Sequence, residues 1–141
     1  MHATTESSRY LRSVGAVIAG ALVGILLSVG TDALLQAVGV LPRVGQPATS
    51  PILLLATAYR TLYGVVGSYI TARSAPNRPM THAMVLGFMG LAANLAGTIA
   101  TWNKGLGPHW YPITLIVLAL PTAWVGAKIR IAQLSKATAT V

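Results

Sequence analysis

Apolar residues fill four long blocks of the chain, separated by short polar or turn-forming stretches, and none of the blocks alternates with period two. The first runs from residue 14 to about 40, entered after Arg9 and Arg12 and ended by Leu41, Pro42 and Arg43. The second covers residues 51–72 and stops at Arg73 and the turn-forming residues 74–79. The third, residues 80–102, is closed by Asn103, Lys104 and Gly105; the fourth starts at Tyr111 and Pro112 and turns basic at Lys128 and Arg130. Each block holds roughly 18 to 27 residues, against about 20 needed to cross the hydrocarbon core. Lipid admits only helices and closed barrels as spanning structures, and continuous apolar runs without alternation are helices. The pattern predicts an all-α integral membrane protein, an antiparallel four-helix transmembrane bundle with helices at about 14–40, 51–72, 80–102 and 111–128. This transmembrane domain (14–130) is flanked by an N-terminal tail (1–13) and a C-terminal tail (131–141).

Small residues recur at helical spacing inside the first two blocks. Ala16, Gly20, Gly24, Ser28, Asp32 and Gln36 stand four apart, as do Arg60, Gly64, Ser68 and Ala72. Residues four apart lie on one side of a helix, and small side chains let two backbones approach closely in lipid. Antiparallel packing of these two faces predicts Asp32 level with Arg60, Ser28 with Gly64, Gly24 with Ser68 and Gly20 with Ala72. Depth agrees, because Asp32 and Arg60 each stand nine residues from the predicted outer ends of their helices, about 14 Å at the helical rise. An unpaired charge at the bilayer centre costs about 2.5–3.5 kcal/mol on insertion scales, so an Asp32–Arg60 ion pair is expected. Asn94 and Thr122 fall near the same depth, with Tyr59 and Tyr63 flanking Arg60. Pro121 cannot donate to the carbonyl of Val117. It should kink the fourth helix and free an acceptor for Arg60 or Asn94. Asp32, Arg60, Asn94, Tyr59, Tyr63 and Thr122 thus form the candidate polar layer; Gly20, Gly24, Ser28, Gly64 and Ser68 are the candidate packing positions.

Composition agrees with lipid as the solvent. Of the 141 residues, 54% are apolar and 9% are charged, where a soluble domain carries roughly 25% charged residues. The formal net charge of +8 suggests nucleic acid at first sight. The basic residues stand singly at the ends of the apolar blocks, however, and make no basic patch. Arg9, Arg12, Arg73, Arg78, Lys128, Arg130 and Lys136 fall on the side that holds both termini, and Arg43 and Lys104 on the other. Basic residues stay on the cytoplasmic side, so both termini are expected in the cytoplasm, with Trp102, Trp110 and Tyr111 as an outer aromatic belt. Arg9 and Arg12 followed by residues 14–27 and Ser28, Val29 and Gly30 imitate a signal peptide. The apolar run continues through Leu34, Leu35 and Val38, which favours a retained helix. Residue 2 is His and there is no cysteine, so no lipidation motif is expected.

Candidate chemistry is thin. Without cysteine, and with Glu6 and Asp32 as the only acids, no ordinary metal-ligand set forms. His82 and His109 stand at opposite ends of the third helix, about 30 Å or more apart at the helical rise. No serine, histidine and acid share one depth, and Gly105 and Gly107 belong to an isolated turn rather than a phosphate loop. Neither a catalytic residue nor a cofactor is expected.

Several short stretches carry a likeness: residues 56–60 (Ala-Thr-Ala-Tyr-Arg), 69–73 (Tyr-Ile-Thr-Ala-Arg) and 78–83 (Arg-Pro-Met-Thr-His-Ala). With them go Trp102, Asn103 and Lys104 and the later run Pro108, His109, Trp110, Tyr111 and Pro112. Together they resemble a group of small uncharacterised bacterial four-helix inner-membrane proteins, over roughly residues 12–130. The resemblance implies a multi-pass protein of the bacterial cytoplasmic membrane and implies no activity. The size is also similar to that of small multidrug exporters, dimeric four-helix proteins whose pattern uses an acid in the first helix as a free proton and cation site. Asp32 stands further along its helix than that pattern requires, and Arg60 would neutralise it.

Two readings of the polar layer follow. In one, Asp32 and Arg60 are a structural clasp in a non-enzymatic structural or accessory membrane protein, partnered by lipid and by itself or another membrane protein, and not by nucleic acid. In the other, the Asp32–Arg60–Asn94 layer serves a small oligomeric transporter or channel for an ion or a small polar or cationic solute, since intramembrane ionisable residues suggest function.

Overall fold

The computed structural model describes residues 2–140, with side chains described from Glu6 onward. It contains four helices: α1 (His2–Ala37), α2 (Ser50–Ser74), α3 (Pro79–Thr101) and α4 (Trp110–Ala139). Their ends follow local chemistry. Gly39, at φ +76°, ends α1 three residues earlier than the apolar block suggests, because a left-handed glycine satisfies the last carbonyls and turns the chain away. Pro51 and Pro79 open α2 and α3, where a proline lacks only an N–H that had no partner anyway. The expected tails are helical instead. No glycine or proline interrupts residues 2–13 or 131–139, so α1 and α4 run on past their apolar blocks.

Three of the helices, α1, α3 and α4, are long and apolar enough to cross a membrane. The remaining helix, α2, has the length but carries Arg60, Arg73 and a series of threonines and tyrosines. Its position explains how it can carry these polar groups. It packs against all three others, whereas α1 and α4 do not touch. Around the bundle the order is therefore α1, α2, α4, α3, and the seam between α3 and α1 is the loosest.

Burial runs opposite to that of a water-soluble fold. The buried residues are mostly alanine, glycine, serine and threonine, including Ala16, Ala72, Ala83, Ala123, Ala127, Ser68 and Thr71. Large apolar side chains such as Leu26, Leu34, Phe88, Ile99 and Val117 are exposed. A small-residue core brings backbones together. A methyl group on Gly67 would stand 2.7 Å from the carbonyl oxygen of Gly20, and one on Gly126 would stand 2.6 Å from that of Val65.

The loops on either side of α2 and α3 differ in length and role. Residues 38–49 and 102–109 come together at one end, where the N–H of Ala48 donates to the carbonyl of Leu106 at 2.9 Å. At the other end α2 and α3 are joined by a tight turn whose last residue, Arg78, adopts a left-handed conformation at φ 41°.

Candidate functional site

The polar layer is built where α1 and α2 face one another. Arg60 forms an ion pair with Asp32 through Nη2 and Oδ2. The Tyr59 hydroxyl donates to the other carboxylate oxygen. Both carboxylate oxygens are thereby satisfied, one by a cation and one by a neutral donor. The pair is half-enclosed: the side chains keep 22% (Asp32) and 35% (Arg60) of their exposure. One turn away, Tyr63 and Thr31 share a 2.8 Å hydroxyl–hydroxyl bond, and the Tyr59 and Tyr63 rings lie 5.8 Å apart.

The remaining expected members sit apart from this cluster. Asn94 donates to the carbonyl of Leu115 at 3.1 Å. It does not reach Val117, the acceptor freed by Pro121. Thr122 is buried and donates to Ala119 at 2.9 Å, on the side of α2 that carries Gly64. Pro121 itself lies inside an unbroken α4. Sequence reasoning missed Thr31, whose only signal was its place beside Asp32. It also missed Thr61, whose buried hydroxyl has no hydrogen-bond partner.

The packing pairs are shifted by one residue from those the small-residue stripes suggest. Gly20 packs against Gly67 and Thr71, and Gly24 against the Tyr63 carbonyl. Gly64 instead faces Thr122, and Ser68 faces Gly126. Ala72 joins Ala83 and Ala127. Thus the face of α2 that meets α1 is Tyr59, Tyr63, Gly67 and Thr71. The stripe Gly64, Ser68 and Ala72 belongs to α4 and α3. Arg60, at the border, reaches Asp32 because its side chain is long.

Two cavities meet at Arg60. The first, about 450 Å³, lies among all four helices and is lined by small and apolar residues from Gly20 to Ser28, Gly64 to Ser68, Leu86 to Ala93 and Leu115 to Ala119. Asp32, Arg60, Thr61 and Asn94 close one end of it. The second, about 390 Å³, lies towards the paired loops and is lined by Arg60, Asn94, Thr98, Trp102, His109 and Tyr111 among others. There His109 donates to the carbonyl of Trp102 at 3.1 Å, and its ring lies 4.1 Å from the Trp102 ring. Arg60 and Asn94 line both cavities, so the guanidinium is a partition between an apolar slot and a more polar vestibule. The arrangement can bind and orient.

The chain matches no protein-family model, no curated protein and no solved structure.

Proposed function

We propose that the chain is a multi-pass protein of the bacterial cytoplasmic membrane, of the kind its short motifs resemble. In this reading it is an antiparallel four-helix transmembrane bundle with both termini in the cytoplasm. It has no enzymatic activity of its own, takes no cofactor, and serves as a structural or accessory component assembled with itself or with another membrane protein. Outward-facing leucines, isoleucines and valines on α1, α3 and α4 support lipid as the solvent, since a water-soluble monomer rarely exposes so large an apolar surface. Shielding of α2 by its neighbours supports its role as the fourth span. The loops 38–49 and 102–109 meet at the end poor in basic residues, which supports an outer position for them.

One observation carries the functional reading: Asp32 and Arg60, the charged residues deepest in the helices, are spent on one another. A carboxylate held by both a guanidinium and a tyrosine hydroxyl ties α1 to α2 and is a poor free proton carrier. Exchange of the charges tests it. Asp32→Arg combined with Arg60→Asp should restore the folded yield lost in either single variant.

Arg60 as a wall shared by two cavities favours a second reading, a small oligomeric transporter or channel that uses Asp32, Arg60 and Asn94. Proteoliposome flux across a panel of ions and amphiphilic cations separates the two. The transporter reading requires that Asp32→Asn leave a folded protein without flux.

A further inference from the structure

We propose that the apolar slot is a binding site for a single hydrocarbon chain of an uncharged membrane amphiphile, taken in between α1 and α3 with its oxygen-bearing head at Arg60. The proposal rests on the membrane reading above and adds a ligand class to the site.

Shape is the first argument. Along α1 the slot extends from Gly20 to Asp32, about 18 Å at the helical rise, a long and narrow shape that suits an extended hydrocarbon chain. Its side is the α1–α3 seam, the loosest in the bundle, so a chain can enter sideways from lipid without separating tightly packed helices. The walls are supplied by Ile25, Val29, Leu86, Met89, Leu115 and Leu118.

Charge is the second. At the polar end the acid and the base neutralise one another, so an anionic head would stand beside the Asp32 carboxylate and be repelled by it in a low-dielectric setting. A cationic head would meet Arg60. An uncharged head with acceptor oxygens avoids both penalties. Arg60 presents further N–H donors beyond the one on Asp32, and Thr61 has a hydroxyl without a partner beside it.

Gly90 supplies a clean test. It lines the slot, and a Cβ added there meets nothing within 4 Å. Gly90→Leu therefore fills the slot without disturbing helix packing. Gly97→Leu is the control, because Gly97 lines the outer vestibule and is equally open. The full-length protein in nanodiscs is photolabelled with a diacylglycerol carrying a diazirine on its acyl chain, with a diazirine-labelled phosphatidylglycerol in parallel. The expected result is diacylglycerol label mapped to residues 24–29 and 89–93, lost in Gly90→Leu and kept in Gly97→Leu, with weaker label from the anionic lipid. Label unchanged by Gly90→Leu, or stronger from the anionic lipid, overturns the proposal. Alkaline extraction of the cell membranes from which the protein is purified keeps the two readings apart. A chain that stays in the membrane pellet but fails the labelling test overturns the slot alone, whereas release into the supernatant overturns the membrane reading itself.

Discussion

Asp32 of α1 and Arg60 of α2 meet as an ion pair although the helical faces that carry them do not pack on one another. The direct α1 neighbour on α2 is the Tyr59, Tyr63, Gly67 and Thr71 face, and Tyr59 bonds the same carboxylate that Arg60 holds. The acid is thus seated in the α1–α2 interface, while the base reaches it from the border of the two cavities. That geometry gives Asp32 the more enclosed position and Arg60 the more adaptable one.

Removing one partner should hurt more than exchanging both. Asp32→Asn or Arg60→Gln leaves a half-enclosed charge without its counterion, and a loss of about 1–3 kcal/mol is expected. The double exchange Asp32→Arg with Arg60→Asp should recover part of it. Thermal unfolding in detergent, followed by tryptophan fluorescence, measures the difference. Additive losses in the double variant would mean that the pair contributes nothing as a pair.

The two tyrosines should rank in a fixed order. Tyr59→Phe removes a hydrogen bond to a carboxylate, expected to cost about 1.5–3 kcal/mol, while Tyr63→Phe removes one between neutral hydroxyls, about 0.5–1.5 kcal/mol. The same unfolding assay reads both. Equal or reversed losses would show that Tyr59 is not a partner of Asp32.

Glycines in the helices should divide sharply by what lies opposite. Gly126→Ala pushes a methyl group against the backbone of Val65 and Tyr69, and overpacking of this kind costs about 1–3 kcal/mol. Gly90→Ala meets nothing and should be neutral or stabilising by up to about 1 kcal/mol, the difference between alanine and glycine in a helix. A melting series over Gly126, Gly67 and Gly90 checks the ranking.

Arg78 stores backbone strain at the start of α3. Its φ of 41° is a conformation that costs a residue with a Cβ roughly 1–2 kcal/mol, and it precedes Pro79. Glycine adopts it freely but gains freedom in the unfolded chain, so Arg78→Gly should stabilise by about 0.5 kcal/mol. A lower melting temperature would show that the arginine side chain contributes more than its backbone loses.

Topology is open to direct measurement because the chain has no cysteine of its own. Single cysteines at Gly45 and Lys104 should react with an impermeant thiol reagent in whole cells, and those at Ala75 and Thr138 only after permeabilisation. Reaction at Ala75 in whole cells would reverse the proposed orientation.

The helices themselves were legible in the sequence because proline, left-handed glycine and charge clusters punctuate long apolar blocks, and such signals act over a few residues. Asp32 and Arg60 stood out for a similar local reason: each is an isolated charge within an apolar run. Their equal depth was not legible, because the count took the first helix to Leu41, whereas α1 ends at Ala37, only five residues past Asp32. The helical reach of α1 and α4 beyond their apolar blocks was not legible, since hydropathy marks where an apolar block ends and not where a backbone stops being helical.

What sequence alone determined is the set of long helices, their order and the identity of the charged residues within them. Tertiary structure decided which side of each helix faces which neighbour. In α2 the runs Gly67–Thr71 and Gly64–Ser68–Ala72 lie on faces one residue apart, a rotation of only about 100°, and either suits close packing. These helices meet through alanine, glycine, serine and threonine rather than through large apolar side chains, so apolar periodicity carries little information about facing. Only assembly of all four helices placed Gly67 on Gly20, Ser68 on Gly126, and Arg60 between an apolar slot and a polar vestibule.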